Sequence, residues 1–207
     1  CSIGLRKTIS IKIKDKNEVQ VAGLPANAKI SNLSWSPNDT KILFTNTAAN
    51  GVELWVIDVA SAQAKKLTEA NLNANLGAPF SWFGDNETIL VKLLPSNRKP
   101  LLDSKKDLPA GPIISNASGA KSQNRTYPDM LKNKNDEINF ENIITSELYK
   151  ITLSGNKTLF KSADMFAGQS LSPDGNYIMI TTIQKPFSYI VPLNRFPMKS
   201  VVYDKSG

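Results

Sequence analysis

One segment of the sequence combines charged, aromatic and proline residues in a pattern that suits ligand binding. Residues 185–197 read KPFSYIVPLNRFP, with three prolines, three aromatic residues and two cations. Proline lacks the backbone N–H that a sheet ladder needs, so we expect this segment to bulge from the strands around it. The aromatic side chains either cover an interface between sheets or line a pocket. In a pocket, Arg195 or Lys185 would be placed to bind an anionic group, with Phe187 and Tyr189 beside it.

The sequence contains no complete catalytic set. It has no histidine, which excludes a Ser-His-Asp or Cys-His arrangement and most zinc, copper and iron sites. No Gly-x-Ser-x-Gly turn is present, the nearest string being residues 168–172, and no phosphate-binding or dinucleotide-binding glycine motif occurs. We therefore predict no catalytic residue, no metal site and no cofactor for this chain.

The carboxylates do not form a convincing acid–base pair. Asp136 and Glu137 are adjacent, but acidic residues are common in loops and turns. Asp39, Asp85 and Asp174 occupy equivalent positions in a repeated turn. That placement indicates a role in turn geometry rather than in chemistry.

The composition excludes two classes of partner. Of the 207 residues, 41% are hydrophobic and 21% are charged, as in an ordinary globular domain. No apolar run approaches the roughly 18 residues of a membrane span. The net charge is +7, but the lysines are spread along the chain without interleaved aromatic residues, so we predict no nucleic-acid binding. The basic field mildly attracts acidic ligands.

A repeated turn-and-strand pattern predicts the elements that position these residues. Similar turns at 35–39, 81–86 and 171–175 each precede an apolar strand, and Pro37 and Gly84 lie 47 residues apart, within the range of propeller blades. Proline fixes φ at the corner, and Asn-Asp or Asp-Gly suits a tight turn. We predict an all-β fold, a partial β-propeller of about three to four blades of antiparallel strands, rather than another antiparallel β protein.

The same pattern predicts boundaries along the chain. Residues 1–23 would end an earlier blade, and 24–69 would form a complete one. Residues 70–163 would form a blade with a long loop insertion at 95–141, and 164–207 an incomplete blade. Within the insertion we expect one short helix in 126–139, and a strand resuming at Ile143. The first residues lack the apolar core of a signal peptide, so we expect a fragment or processed form, with Cys1 either a cut point or a lipid-anchored residue.

Several strings in the sequence are similar to the propeller of one family of proteins. They lie at 51–56 (GVELWV), at 72–73 with 79–82, at 109–112 (PAGP), at 125–127 with 129–133, and within 186–197, and so extend over nearly the whole chain, including the insertion. These strings resemble the glutamyl endopeptidase-like members of the prolyl oligopeptidase family. Many propellers share the blade turns, so the strings are the more specific signal.

The resemblance implies a two-part serine peptidase. In that family a propeller caps a C-terminal α/β-hydrolase domain that holds the catalytic residues, and it limits which peptides reach them. This chain would then bind and gate peptide substrate for a hydrolase domain outside it, and the parent protein would be exported to a bacterial periplasm or cell surface.

The resemblance also implies a cation near the substrate, because glutamyl endopeptidase-like members cleave after acidic residues. We expect Arg195 in that role, with Lys185 or Arg125 as weaker candidates. Relatives can carry arginine in place of Lys185, and lysine lacks the planar fork for bidentate carboxylate binding. Two alternatives stay open at this point. One is a TolB-like propeller that binds protein or peptide partners without peptidase activity, and the other is a relative whose hydrolase domain has lost its nucleophile.

Overall fold

The computed structural model describes residues 8–12, 18–103 and 130–207, which form strands joined by turns and two longer connections. The strands in these ranges are β1 (Ser10–Lys12), β2 (Glu18–Gln20), β3 (Ile30–Trp35), β4 (Lys41–Ala48), β5 (Gly51–Asp58), β6 (Gln63–Lys66), β7 (Phe80–Trp82), β8 (Thr88–Leu93), β9 (Ser146–Thr152), β10 (Lys157–Asp164), β11 (Phe166–Leu171), β12 (Tyr177–Ile183) and β13 (Met198–Asp204). The helices are α1 (Lys134–Ile144) and the 3-10 helix Leu193–Arg195.

The strands form four antiparallel sheets, each a meander of consecutive strands. Two sheets have four strands, in the orders β3-β4-β5-β6 and β7-β8-β9-β10; a third has β11-β12-β13, and in the fourth β1 pairs with β2. The first strands of the larger sheets are neighbours. The Trp82 indole N–H donates to the Ser34 carbonyl at 3.4 Å, and the Gln169 amide donates to the Ser81 hydroxyl at 3.3 Å. The predicted all-β, partial propeller architecture is confirmed.

The repeated turns join the first and second strands of the three larger sheets. The backbone adopts a left-handed conformation at Asp39 (φ 58°), Asn86 (φ 61°) and Gly175 (φ 66°), as Asn, Asp and Gly tolerate best. The Asn38 N–H donates to the Asn86 side chain at 2.8 Å. The turns of the first two sheets therefore contact each other, at one end of the fold.

The middle sheet, β7–β10, packs against a neighbouring sheet on each face, mainly through β7, β8 and β9, whereas its outer strand β10 is largely exposed. One face packs on the first sheet around Leu43, Leu54 and Ile89, and the other packs on the third sheet around Leu148 and Ile178. All five side chains are fully buried, each stabilising the fold by about 1.5–3 kcal/mol. This two-sided burial explains why β8 is almost continuously apolar, as expected for a strand between two layers.

Helix α1 differs from the expected boundaries. The helix extends into the region where we expected a strand to resume at Ile143, and β9 begins only at Ser146. The Asn133 side chain caps the first turn by accepting a backbone N–H at 2.9 Å. At the other end the Thr145 N–H and hydroxyl both donate to the Glu141 carbonyl, at 3.0 and 2.7 Å. These caps decide the boundaries, because the apolar residues between them suit either a helix or a strand.

Candidate functional site

Two long connections lie at the end of the sheets opposite to the tight turns. In each larger sheet the tight turn joins the first and second strands, so the connection from the second to the third strand leaves at the other end. One of these connections joins β8 to β9 and contains α1, and the other joins β12 to β13 and contains residues 184–197. They belong to neighbouring sheets and pack on a shared apolar cluster around Ile144, Met165, Ile183 and Phe196.

Three phenylalanines join the two connections. Phe140 of α1 meets Phe187 edge-on at 5.2 Å between ring centroids and Phe196 at 5.8 Å. The rings of Phe187 and Phe196 stack at 5.7 Å. Such pairs stabilise by about 0.5–1.5 kcal/mol beyond their buried area. The sequence left open whether Phe187 covers an interface between sheets or lines a pocket. In the structure Phe187 lies in the packing between α1 and the 184–197 connection.

Two carboxylates of α1 engage the polar side chains of the loop. The Lys185 ammonium lies 2.7 Å from Glu141 Oε2, and the Tyr189 hydroxyl donates to Glu137 Oε2 at 2.7 Å. Glu137 also pairs with Lys134 at 2.9 Å. The hydrogen bond to Glu137 raises the pKa of Tyr189, since the anion disfavours a second negative charge. The hydrogen bonds from Tyr189 and Lys134 lower the pKa of Glu137.

Arg195 lies at the end of the 3-10 helix and is exposed. Its backbone N–H donates to the Pro192 carbonyl at 2.9 Å. Among the described residues, no carboxylate forms an ion pair with its guanidinium. Of the predicted cations, Lys185 therefore has a carboxylate partner, whereas Arg195 has none among the residues that the structure describes. Arg125 lies outside the described residues.

A groove of about 860 Å³ borders the 3-10 helix. The helix itself supplies part of one wall, and the start of β11 supplies another. The walls are largely apolar, with Leu76, Gly77, Ala167, Gly168, Thr181, Pro192, Leu193, Asn194 and Met198 lining them. A bulge between Phe166 and Gly168 interrupts the pairing of β11 with β12 at this point. The groove therefore lies at the start of β11, the first strand of the third sheet, beside the connection that carries Arg195.

Lys92 of β8 is a feature that the sequence reasoning missed. It is 2% exposed, and its ammonium donates to the Leu76 carbonyl at the groove wall. Burial lowers the pKa of Lys92 from 10.5 to about 8, because the charged form loses its hydration. A signal was present, since Lys92 interrupts an otherwise apolar strand that must be buried on both faces.

The turn aspartates have ordinary structural partners. Hydrogen bonds from the Ser172 hydroxyl and from Asn176 lower the pKa of Asp174 to about 2. Asp85 accepts bonds from Thr88, both N–H and hydroxyl, at 2.8 and 2.6 Å. These contacts agree with a role in turn geometry. Within residues 8–12, 18–103 and 130–207, no group of three or more Cys, Asp or Glu residues could hold a metal ion, and no helix is long and apolar enough to cross a membrane.

Two plant proteins are similar to this chain in sequence. The chain is 32% identical over 200 residues to a probable chloroplastic glutamyl endopeptidase of Oryza sativa subsp. japonica, covering 92% of the chain and 21% of that protein. It is 30% identical over 204 residues to the protein of the same name in Arabidopsis thaliana, covering 92% and 20%. The chain thus spans about a fifth of the length of these curated relatives. No protein-family model matches the chain.

A solved structure shares the fold. An acylaminoacyl peptidase of Pyrococcus horikoshii superposes on 97% of this chain and 27% of its own, with a TM-score of 0.52 and 16% sequence identity. At that identity the likeness concerns the arrangement of the blades alone.

Proposed function

The chain is a β-propeller segment of the prolyl oligopeptidase family, similar to the glutamyl endopeptidases, and from this premise we propose that it binds and gates peptide substrate for a serine peptidase. The catalytic residues would lie in a C-terminal α/β-hydrolase domain of the same parent protein. One observation carries the proposal: the sequence relationship extends over 92% of the chain.

The chemistry of the chain supports a non-catalytic role. With no histidine in 207 residues, the chain cannot by itself assemble a Ser-His-Asp triad. The carboxylates nearest the candidate site hold α1 against its neighbouring loop through Lys185 and Tyr189. Hydrolysis would therefore need residues from another domain, and this segment would decide what reaches them.

The peptide-binding surface that we propose lies on the 184–197 connection. Arg195 is exposed beside an apolar groove and offers a planar donor fork to the carboxylate of an acidic residue. Lys185 and Tyr189 would join it when Glu141 and Glu137 release them. Phe187 would act by holding the loop on α1 rather than by meeting the ligand.

Gating would use the contacts between α1 and this connection. The pair of Lys185 with Glu141 is half-exposed, with side-chain exposures of 52% and 39%, and exposed ion pairs stabilise by only about 0–1 kcal/mol. An acidic peptide can therefore compete with the helix carboxylates for the same cation at low cost. The helix would move away from the connection as the peptide binds.

We also propose that the parent protein is exported, to a bacterial periplasm or cell surface. Localisation of an epitope-tagged parent by cell fractionation tests this directly. Recovery of the tag in the cytoplasmic fraction alone would reject export.

A cleavage assay tests the proposed function. The parent protein and this chain are each incubated with a fluorogenic peptide that has glutamate before the scissile bond. We expect cleavage by the parent only. In the parent, Arg195→Ala should lower kcat/KM for the glutamate peptide by about tenfold, the contribution of one charge-assisted hydrogen bond. The same substitution should leave a peptide with glutamine at that position nearly unaffected.

Lys157→Ala is the matched control. Lys157 begins β10, at the end of the sheet that carries the tight turns, and its removal should change neither rate. Equal rates for the Arg195→Ala variant and the wild type would reject Arg195 as the specificity residue. If the parent cleaves no peptide but the chain still binds one, the segment is a binding module of the TolB-like kind. Cleavage by the chain alone would overturn the non-catalytic assignment.

A further inference from the structure

Three polar side chains and one indole share a face of the first sheet. Asn46 and Glu53 lie directly opposite each other on β4 and β5. Trp55 follows Glu53 by two residues, so its side chain points to the same face, and Lys66 of β6 lies opposite Trp55. The strand register therefore brings an amide, a carboxylate, an indole and an ammonium together near the β4–β5 turn. This turn lies at the same end of the fold as the two long connections.

Hydrogen bonds hold the Glu53 carboxylate in place. Its Oε2 atom accepts from Asn46 Nδ2 at 3.0 Å and from the Trp55 indole N–H at 2.8 Å. The Asn46 amide is held in turn, because its Oδ1 atom accepts the Lys29 backbone N–H at 2.9 Å. The Glu53 side chain is only 14% exposed. A carboxylate whose neighbours are themselves held by hydrogen bonds is pre-organised for binding.

The other oxygen of this carboxylate, Oε1, accepts no hydrogen bond within the described part of the chain. The Lys66 ammonium lies 3.9 Å away, beyond hydrogen-bond distance, and donates to Glu69 at 3.0 Å instead. Glu53 and Lys66 both line a cavity of about 550 Å³ between the first sheet and the connection that precedes β3. That volume lies within the roughly 300–1,000 Å³ of small-molecule pockets. Oε1 is therefore the carboxylate atom left for a ligand.

The charges around this cavity favour a neutral ligand. Lys29 lines it as well as Lys66, so a cationic group bound to Glu53 would meet two ammonium groups. An anionic group would meet the Glu53 carboxylate. A neutral ligand with several hydroxyl groups avoids both costs, since each hydroxyl can donate to Oε1 or accept from an ammonium.

Trp55 adds an apolar surface to the cavity. Its ring stacks on Phe44, with 6.1 Å between ring centroids, while the side chain stays partly exposed and lines the cavity. Aromatic side chains give a large, rigid contact area at a low cost in conformational entropy. The C–H groups of a sugar ring suit such a surface, and its hydroxyl groups suit the polar side chains beside it.

We propose that this cavity is a saccharide-binding site, in which Glu53 Oε1 accepts a hydroxyl of a neutral sugar whose ring packs against Trp55. Lys29 and Lys66 donate to further hydroxyl groups of the same ligand. No residue of the 184–197 connection lines the cavity. The inference therefore goes beyond the proposed peptide binding and does not depend on it.

Nuclear magnetic resonance of this chain tests the site through the tryptophan indole N–H groups. The chain has three tryptophans, and Trp55→Phe identifies the Trp55 resonance by its absence. Glucose, maltose and cellobiose are titrated separately into the nitrogen-15-labelled wild type. We expect at least one sugar to shift the Trp55 resonance saturably, with a Kd of about 1 mM, as a few net hydrogen bonds allow. The resonances of Trp82, which is buried, and of Trp35, which is 54% exposed, should not move.

Glu53→Gln should weaken sugar binding about tenfold, because the amide presents N–H groups where the carboxylate presents an acceptor. Asn46 and Trp55 can still donate to the remaining oxygen, so the variant should fold, which circular dichroism checks. Glu69→Gln is the matched control. It makes the same change at the other carboxylate paired with Lys66, on a side chain that is 83% exposed and does not line the cavity. This control should bind sugar like the wild type.

The inference is overturned if no sugar moves the Trp55 resonance, if Trp35 and Trp55 shift alike, or if Glu53→Gln and Glu69→Gln bind sugar equally. Free glycine is a further probe, because it carries both charges and no hydroxyl ring. A shift of Trp55 with glycine and with none of the sugars would make this an amino-acid site and reject the proposal. None of these outcomes depends on peptide cleavage by the parent, so the inference and the proposed function fail separately.

Discussion

Replacing Lys92 with methionine should stabilise the protein at neutral pH, although it removes a hydrogen bond. Lowering the pKa of Lys92 from 10.5 to about 8 corresponds to about 3 kcal/mol lost by the charged form on burial. The methionine variant also loses the hydrogen bond that Lys92 donates to the Leu76 carbonyl, which contributes about 1–1.5 kcal/mol. We therefore expect Lys92→Met to raise the free energy of unfolding by about 1–2 kcal/mol at pH 7.

The pH dependence of that difference identifies its cause. The pKa of Lys92 is lower in the folded than in the unfolded protein, so between pH 8 and 10.5 the unfolded state binds more protons. The wild type is then stabilised as the pH rises through this range, by as much as about 3 kcal/mol, whereas the methionine variant lacks this contribution. The advantage of the variant should shrink above pH 8 and reverse before pH 10.5.

Urea unfolding at pH 7, 8.5 and 10 measures both quantities, with tryptophan fluorescence as the signal. Lys150→Met is the control, because the Lys150 side chain is only partly buried and stacks on Phe160 at 4.5 Å. It should show no gain in stability. Parallel pH profiles for the wild type and Lys92→Met would falsify the account of Lys92 as an uncompensated buried cation.

Three further outcomes follow from the packing around the groove and around helix α1. Gly77→Ala should destabilise the protein by about 1–3 kcal/mol, because the new Cβ meets the Ala167 carbonyl in a left-handed backbone; a urea midpoint equal to that of the wild type would contradict this. Phe196→Ala should cost about 3–5 kcal/mol, since this buried ring packs between helix and loop; thermal unfolding measures it, and a cost under about 1 kcal/mol would contradict the packing. Glu137→Gln should move the pKa of Tyr189 down toward its ordinary value, read by ultraviolet titration; an unmoved tyrosine would mean that the bond to Glu137 does not form in solution.

The fold was predictable because its signals are local. Each tight turn is a short string with its own backbone preference, so the three turn strings identified the same connection in all three larger sheets. The boundaries of α1 were less predictable. Asn133 and Thr145 decide them through capping hydrogen bonds. Because Asn and Thr also occur in turns, their presence in the sequence does not identify the ends of a helix. The prediction that a strand resumes at Ile143 was therefore wrong by three residues, because β9 begins at Ser146.

The candidate site was predictable only in part. The sequence indicated that 185–197 is irregular and carries cations, but not which cation has a carboxylate partner. Lys185 and Arg195 are alike in charge, and only the carboxylate of Glu141 distinguishes them. Glu141 lies 44 residues away in the sequence, on a helix whose packing no local pattern specifies.

The sequence by itself determined the strand repeat, the turns and the absence of a histidine-dependent catalytic set, because these depend on residue type and short spacing. The tertiary structure decided which side chains meet. Lys92 shows the physical reason. The sequence shows that a lysine interrupts an apolar strand. The energetic cost of its charge depends on which atoms surround the ammonium, and the sequence does not give these. Here these are the Leu76 carbonyl and the bare backbone of Gly77 at the wall of a groove, both in the connection from β6 to β7, which runs beside β8.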